Sequence, residues 1–341
     1  MDAASAWVLL AIVAFLGSLA GVRFVERYAA ALRLIDLPNV RSSHHVPRPR
    51  GGGLGIVAGV VLASLIASVM GTPLPGELWI LLGAAGVVAV VGFWDDRRSL
   101  SVWPRLAVQA AAASLVVVAL GSLDRLPLPS PADVPLGLAG AALVVIWIVG
   151  VTNFFNFMDG VDGLAAGQAV ISLGALAWPL WPQPAAGLAL IVLAATAAFL
   201  TRNWSPAKIF LGDVGSAFLG FLLASLPLAG PADARPQLVF LVAISMTLFL
   251  LDPIATLVVR GRKRATIGAA HRDHAYQQLV EPGQPHAAAV SMLLMAGFVL
   301  AVFAVAAYSR PGLAWPAIGV ALVVFAIEWQ MASRRRAGVK R

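Results

Sequence analysis

The sequence predicts an all-α, polytopic integral membrane protein. Of its 341 residues, 60% are hydrophobic and only 12% are charged, and the mean hydropathy is +0.87. A soluble domain contains roughly 45–50% apolar residues, so a soluble fold of this length could not bury so much apolar surface. At about 20 residues per span, the chain has room for roughly ten to twelve transmembrane helices with short loops. We therefore expect one membrane-embedded domain over residues 1–341.

Apolar runs separated by polar breaks predict about eleven spans. The fifth to eighth are short, which indicates tilting or extension into the adjoining polar motifs. No basic segment precedes the first run, because Asp2 is the only charge before Arg23, so we expect an uncleaved helix and not a signal peptide. The predicted spans cover residues 6–25, 52–70, 77–94, 105–121, 137–152, 164–181, 185–200, 214–229, 237–259, 287–307 and 313–330.

Positive charge is distributed unevenly between the two predicted sides of the membrane. With the N-terminus outside, Arg125, Arg235 and Arg310 lie on the outer side and the other 21 of the 24 lysines and arginines lie inside. The positive-inside rule then places the N-terminus outside and the C-terminus in the cytoplasm. The same rule explains the net charge of +8, so this charge gives no reason to expect nucleic-acid binding.

Two adjacent carboxylates, Asp95 and Asp96, follow the third predicted span. Like charges repel, so a bare pair at a membrane boundary is unfavourable without a cation. Such a pair suits Mg²⁺, which takes oxygen ligands and keeps several waters and substrate phosphates. Thiolate ligands and cysteine nucleophiles are excluded, because the chain contains no cysteine. The alternative is a solvated helix end that is paired with Arg97 and Arg98.

A second polar motif has Asn or Asp at every third position, at Asn153, Asn156, Asp159 and Asp162. On an α-helix this spacing drifts by about 60° per step, so the four side chains cannot share one stripe. We therefore expect a helix end that opens into a turn around a small pocket. The alternative is a capping residue before a new helix, which does not account for four such side chains within ten residues.

A third motif, Gly212-Asp213-x-Gly215-Ser216, begins the eighth predicted span. The free N–H groups and the positive dipole end of a helix attract phosphate. Asp213 would repel that phosphate unless a metal ion lies between them. The alternative is that Asp213 serves only as an N-cap.

The loop between the ninth and tenth predicted spans contains His271, Arg272 and His274. A metal or a pyrophosphate could bind there, and the adjacent arginine and the lack of thiolates favour an anion. A basic loop that only fixes topology is the alternative.

The first cytoplasmic loop carries similar groups. His44, His45 and Arg50 precede the glycine run at residues 51–53, at the start of the second span. Cationic side chains and a helix start again suit phosphate oxygens. Together the cytoplasmic motifs predict phosphoryl-group transfer between a soluble, Mg-bound nucleotide diphosphate and a lipid held in the bilayer, because positioning and charge neutralisation supply most of that catalysis.

The motifs at residues 92–96, 153–165 and 210–216 together resemble the signature set of the polyprenyl-phosphate N-acetylhexosamine-1-phosphate transferases, glycosyltransferase family 4. The likeness extends from Asp36 to Gln277, with the motifs in matching order. Within the superfamily, residues 36–44 and 271–276 look most like the bacterial O-antigen-initiating branch.

The resemblance implies a reaction. Undecaprenyl phosphate attacks the β-phosphate of a UDP-N-acetylhexosamine, which gives undecaprenyl-diphospho-N-acetylhexosamine and UMP. It implies Mg²⁺ as cofactor, with Mn²⁺ as an alternative, and a bacterial inner-membrane enzyme whose active site faces the cytoplasm. The choice of N-acetylhexosamine, a one-step or covalent mechanism, and a homodimer are left open.

The resemblance also implies roles for individual residues. Asp213 and Asp95 are expected to hold the metal, and Asp95 or Asp96 to deprotonate or orient the lipid phosphate. The expected catalytic residues are Asp95, Asp96 and Asp159. The expected substrate-binding residues are Asn153, Asn156, Asp162, Asn203, Phe210, His44, His45, Arg50, His271, Arg272 and His274.

One further carboxylate, Asp252, lies inside the ninth predicted span and is followed by Pro253. An ionisable residue within a membrane is functional by default, although pairing with a partner at a proline-broken helix is an alternative. A transporter that uses intramembrane carboxylates is the alternative function. It predicts charges near the midplane and on both sides, whereas most carboxylates here lie at the inner interface.

Overall fold

The computed structural model describes residues 2–36, 46–72, 74–263, 272–280 and 286–339. Within these ranges most of the chain is helical and only two short strands occur, which confirms the predicted fold class. One short hairpin pairs β1 (Ile35–Asp36) antiparallel with β2 (Arg48–Pro49). The α-helices are α1 (Ala3–Tyr28), α2 (Gly53–Val69), α3 (Gly76–Arg98), α4 (Val102–Leu120), α5 (Ala139–Phe157), α6 (Leu164–Leu180), α7 (Pro184–Asn203), α8 (Gly212–Ser225), α9 (Arg235–Ser245), α10 (Thr247–Arg262), α11 (Ala275–Gln278), α12 (Ala287–Ser309) and α13 (Ala314–Val339).

The helices have the length and composition of membrane spans. In the described part of the chain, eight are long and apolar enough to cross a bilayer, or nine if α9 and α10 count as one bent span. Two more apolar helices, α2 and α6, are shorter. The prediction of a polytopic membrane protein is confirmed, while the count of eleven spans stays a prediction.

The predicted ninth span, 237–259, is not one straight helix. It is divided into α9 and α10, whose axes differ by 70°. The Ser245 carbonyl at the break accepts a hydrogen bond of 2.9 Å from the Gln168 side chain. Helices kink where a side chain enters their hydrogen-bond ladder, so the break lies at Met246 and not at Pro253.

Helix α8 lies at the centre of the bundle. In its span 83% of residues are buried, against 22% in the span formed by α4. It packs against α2, α3 and α5. Glycines allow this close approach: a Cβ on Gly92 would lie 2.8 Å from the Val214 nitrogen, and one on Gly53 would lie 3.1 Å from the Val214 carbonyl carbon. Small residues at helix contacts are the usual means of close packing in membranes.

The loops predicted to share the cytoplasmic side meet at one end of the bundle. Phe210 N donates to Pro49 O, and Gly52 N donates to Phe210 O, each at 2.9 Å. At the opposite end, Trp315 Nε1 donates to Ser130 O at 3.0 Å. These contacts agree with the predicted division into two sides. Which side faces the cytoplasm stays a prediction.

Candidate active site

Asp96 binds the N-terminus of α8. Its carboxylate accepts hydrogen bonds from Asp213 N at 3.0 Å and Val214 N at 3.1 Å. The Asp96 side chain is only 1% exposed, and Arg50 Nε lies 3.7 Å from its Oδ1. The carboxylate therefore caps a helix whose first turn contains Asp213, 117 residues further along the chain.

This cap changes the predicted role of the third motif. Because Asp96 already accepts from two amides of the first turn, the expectation that these N–H groups are free for phosphate is wrong. Asp213 is not the N-cap either, since α8 has no side-chain cap of its own. The glycine run is likewise engaged, since Gly52 N and Gly53 N donate to Phe210 O and Leu211 O at 2.9 Å.

Arg105 lies between Asp95 and Asp213. Its Nη1 hydrogen-bonds to Asp95 Oδ2 and lies 3.6 Å from Asp213 Oδ2. Asp95 also accepts from Leu100 N at 2.6 Å. The alternative in which Arg97 and Arg98 neutralise the acidic pair at a solvated helix end is therefore wrong. The cation beside Asp95 comes instead from the first turn of α4, the cation beside Asp96 is Arg50, and both aspartates are buried.

A small cavity adjoins the two carboxylates. Its lining includes Asp95, Asp213, Asn156 and Asn153, and Asn153 Nδ2 donates to Gln109 Oε1 at 2.6 Å. In the described residues no three acidic or histidine side chains converge as a ready-made metal site. Mg²⁺ does not require one, because it is commonly held by one or two carboxylates with waters and substrate phosphates. The two carboxylates and the Asn156 amide oxygen fit a small hard cation.

The second motif forms the predicted turn. Helix α5 ends at Phe157, and Gly163 has φ +77° immediately before α6. Asp162 Oδ2 accepts a hydrogen bond of 3.0 Å from Ala207 N, which ties the turn to the loop before α8. Burial raises the pKa of the Asp159 carboxyl well above its usual range, and the negative charge of Asp213 adds to the effect. Asp159 is therefore within electrostatic reach of Asp213, while its predicted catalytic role stays a prediction.

The side chain of Asn203 links the turn before α6 to the loop before α8. Its Oδ1 accepts from Gly163 N and its Nδ2 donates to Ile209 O, both at 2.9 Å. The side chain is buried, so its amide holds the turn before α6 and the loop before α8 together. Its predicted role in substrate binding stays a prediction.

Asp252 secures the loop after α10. Its carboxylate accepts hydrogen bonds from Ala275 N, Tyr276 N and Thr256 Oγ1, each at 3.0 Å. His274 Nδ1 lies 3.2 Å from the same group. Of the two alternatives that the sequence left open for Asp252, pairing with partners is the one observed. The partners come from the loop and from α10 itself.

Tyr276 carries this connection to the second motif. Its hydroxyl donates to Phe157 O at 2.9 Å, and a Cβ on Gly160 would collide with that hydroxyl. Contacts therefore run continuously from the middle of α10 to the turn that bears Asp159, through Asp252, Tyr276 and Phe157. His274 belongs to this anchor, because its ring is buried beside Asp252.

Replacing Asp252 with alanine is expected to release the loop. The amides of Ala275 and Tyr276 would lose their acceptor, and each unpaired buried amide costs about 1–3 kcal/mol. Cleavage by chymotrypsin after Tyr276, which is fully buried, should accelerate by more than about tenfold, because proteolysis follows the free energy of opening. Thr256→Val is the matched control, since it leaves both amides paired. Equal cleavage of Asp252→Ala and wild type would contradict the anchor.

His286, at the start of α12, lies beside Asp162. Its Nδ1 is 3.7 Å from Asp162 Oδ2, with the imidazole only 7% exposed. Its backbone N–H donates to Ser205 Oγ at 3.2 Å. Burial lowers the pKa of the imidazole, the Asp162 carboxylate opposes this shift, and the Arg272 guanidinium reinforces it. Arg272, a predicted substrate-binding residue, therefore lies close enough to affect the charge near this turn.

This arrangement predicts a pH-dependent stability. Because the pKa of His286 is lower in the folded chain than its ordinary value of 6.5, the unfolded chain binds more protons between these two values, and the folded state loses stability as the pH falls below about 6.5. His286→Gln should remove that part of the loss. Thermal unfolding midpoints between pH 7.5 and 5 would show a shallower decline for the variant, and parallel curves would contradict the expectation.

Several side chains of the cluster were not predicted from the sequence. From the sequence, Arg105 contributed only to the positive-inside count. Gln109 lies inside a predicted span, and His286 lies just before one. A polar residue within an apolar run was the available signal for Gln109. Arg50 and Phe210 lie at the predicted end of the bundle. Three of the predicted substrate-binding residues lie outside the described residues: His44, His45 and His271.

The sequence is similar to known membrane transferases. The sequence model of glycosyl transferase family 4 matches residues 78–230, which include Asp95, Asp96, the second motif and Asp213. A probable undecaprenyl-phosphate N-acetylglucosaminyl 1-phosphate transferase of Bacillus subtilis is 32% identical over 305 residues, 86% of this chain and 84% of the relative.

Two further relatives agree. A decaprenyl-phosphate N-acetylglucosaminephosphotransferase of Mycolicibacterium smegmatis is 30% identical, over 88% of this chain and 82% of its own length. An undecaprenyl-phosphate α-N-acetylglucosaminyl 1-phosphate transferase of Yersinia pestis is also 30% identical, over 85% and 81%. These similarities confirm the family that the three motifs resemble. The chain belongs to the polyprenyl-phosphate N-acetylhexosamine-1-phosphate transferases of glycosyl transferase family 4, and it is a sugar-phosphate transferase.

Proposed function

We propose that the chain transfers an N-acetylhexosamine 1-phosphate from a UDP-sugar to undecaprenyl phosphate and releases UMP. The observation that carries the proposal is the convergence of Asp95, Asp213 and Arg105 at one membrane face, beside the turn that bears Asp159. Carboxylates for a cation and a guanidinium for phosphate are the groups that a diphosphate donor requires. Relatives that use undecaprenyl phosphate or decaprenyl phosphate support the choice of a polyprenyl acceptor.

Mg²⁺ is the proposed cofactor, with Mn²⁺ as the alternative. Asp213 and Asp95 would hold it, and Asn156 would supply a third protein oxygen from the same cavity. When bound, the ion neutralises charge on the diphosphate as the bridging bond breaks. Arg105 holds the two carboxylates together and can turn its charge toward a phosphate oxygen.

In the proposed reaction, an oxygen of the lipid phosphate attacks the phosphorus that bears the sugar. A new P–O bond forms, the bond from that phosphorus to the bridging oxygen breaks, and UMP leaves with this oxygen. Asp96 accepts two helix amides and is thereby committed to positioning α8. Asp95, which lines the small cavity, is the better placed of the pair to orient the acceptor. Asp159, close to Asp213, completes the proposed catalytic set.

The nucleoside is proposed to bind between the turn at 158–163 and the loop before α8. Asp162, Asn203 and Phe210 belong to these walls. Arg272 lies near the same turn and is proposed to contact the pyrophosphate. The imidazole of His274 faces Asp252, so its proposed contribution to substrate binding acts through the position of the loop.

The proposed setting is the bacterial inner membrane, with the active site in the cytoplasm. The positive-inside distribution supports this orientation, since arginines are concentrated at the end of the bundle that bears the acidic cluster. A role in the first membrane step of O-antigen or related polysaccharide synthesis is proposed from the motifs at 36–44 and 271–276. The relatives described above are transferases, so the transporter alternative is not favoured.

Release of UMP from purified protein tests the proposal. The protein would be incubated with undecaprenyl phosphate, Mg²⁺ and a panel of UDP-N-acetylhexosamines, with EDTA as the metal-free control. We expect UMP and a lipid-linked product with at least one sugar, and loss of both with EDTA or in Asp213→Ala. Absence of UMP with every sugar, or full activity of Asp213→Ala, would overturn it.

A further inference from the structure

The end of the bundle opposite the candidate active site contains an open cavity of about 420 Å³. Its walls come from the loop between α4 and α5 and from the ends of α9, α12 and α13. This volume falls within the range of about 300–1,000 Å³ that is usual for small-molecule sites. The cavity lies on the other side of the membrane from the acidic cluster, so the transfer reaction does not account for it.

Hydrogen bonds hold the loop over this cavity. Leu126 N donates to Val134 O at 2.9 Å, and Leu136 N donates to Asp124 O at 2.8 Å. The Trp315 indole joins α13 to the loop through Ser130 O. The α4–α5 loop is therefore held by hydrogen bonds within itself and to α13, so the fold itself forms the cavity.

The lining combines an apolar interior with an ion pair. Leu128, Phe240 and Trp315 are among the apolar walls. Arg125 Nη1 lies 3.4 Å from Asp133 Oδ2, with side chains 49% and 30% exposed. Arg125 Nε also donates to Asp124 Oδ2 at 3.3 Å, so two carboxylates flank this guanidinium. An anionic group would meet both carboxylates, whereas a zwitterion offers them an ammonium group and offers its phosphate to Arg125. Aromatic side chains such as Trp315 are typical of the membrane–water boundary, where phospholipid headgroups lie.

We propose that this cavity binds a zwitterionic phospholipid from the adjoining leaflet. The upper part of an acyl chain fills the apolar interior, the phosphate lies against Arg125 and the ammonium group lies against Asp133. The complementarity of the ion pair selects this occupant over an anionic phospholipid. The site is independent of the transfer chemistry on the opposite face.

Native mass spectrometry of the full-length protein tests the selectivity. The protein would be delipidated in detergent and titrated with phosphatidylethanolamine or phosphatidylglycerol of identical acyl chains. We expect tighter retention of phosphatidylethanolamine, and a loss of about threefold to fivefold in its affinity for the Arg125→Gln/Asp133→Asn variant, the effect of an exposed ion pair. Glu77→Gln, an exposed carboxylate outside the cavity, is the matched control. Equal retention of both lipids, or an equal effect of Glu77→Gln, would overturn the proposal.

A cavity-filling variant gives a second test. A Cβ added at Gly312, which lines the cavity, meets no atom within 4 Å, so Gly312→Phe can occupy the lipid space without a backbone clash. Gly76 is equally open but outside the cavity, which makes Gly76→Phe the control. We expect lipid retention to fall at least fivefold in Gly312→Phe alone. Retention unchanged in that variant would place the lipid elsewhere and overturn the proposal.

Discussion

Asp213→Asn is expected to reduce UMP formation about 100-fold to 1,000-fold, the usual effect of removing one group that stabilises charge in a transition state. The asparagine keeps the shape of the side chain and lacks its negative charge. Asp95 and Asp213 lie on either side of Arg105, so the variant removes the repulsion between these two carboxylates. We therefore expect it to unfold at a temperature no lower than that of the wild type. Initial rates and thermal unfolding midpoints measure both effects.

The metal dependence of this variant separates a ligand from a general charge effect. In wild type the rate should saturate with Mg²⁺, and Asp213→Asn should require a higher concentration for half saturation. Asp233→Asn is a suitable control, since Asp233 is an exposed carboxylate outside the acidic cluster. Wild-type rates and an unchanged Mg²⁺ requirement in Asp213→Asn would exclude the proposed metal position.

Gly212→Ala is expected to lower activity about 100-fold, although it introduces only a methyl group. The added Cβ would lie 2.7 Å from Asp96 Oδ2 and 2.9 Å from Gly51 N. Either the cap or the first turn of α8 must move, and Asp213 moves with that turn. A displacement of about 1 Å at a reacting centre can reduce a rate about 100-fold.

Gly71→Ala provides the control for backbone strain. Gly212 has φ +75° and Gly71 has φ +73°, but a Cβ at Gly71 meets no atom within 4 Å. Both variants bear the same strain of about 1–2 kcal/mol for a side chain in the left-handed region. Gly212→Ala also brings its Cβ against Asp96, so we expect it to lose at least as much thermal stability as Gly71→Ala. Only Gly212→Ala should lose activity. Equal rates for the two variants would show that the close approach to Asp96 is unimportant.

Features set by local pattern were predictable from the sequence. Apolar runs of span length locate most helices, and the Asn153 to Asp162 spacing correctly predicts a helix end opening into a turn. The joint occurrence of three motifs identifies the family. Each of these features depends on residues close together in the chain.

Features that depend on distant residues were not predictable. The break at Met246 involves a hydrogen bond from Gln168, 77 residues before its acceptor. The guanidinium between Asp95 and Asp213 could have come from any of several arginines, and sequence adjacency favoured Arg97 and Arg98 over Arg105. The helix cap formed by Asp96 was not predictable either, because nothing in its own segment shows that the amides of Asp213 and Val214 lie against it.

The cap between Asp96 and α8 also bears on how the protein matures. The two aspartates at the end of α3 precede Asp213 by more than 100 positions. During synthesis α3 therefore leaves the ribosome long before α8. Until α8 inserts, Asp96 has no helix amides to accept from and Asp95 has no Asp213 opposite it. The proposed cation site between Asp95 and Asp213 is therefore complete only when the central helix has entered the bundle.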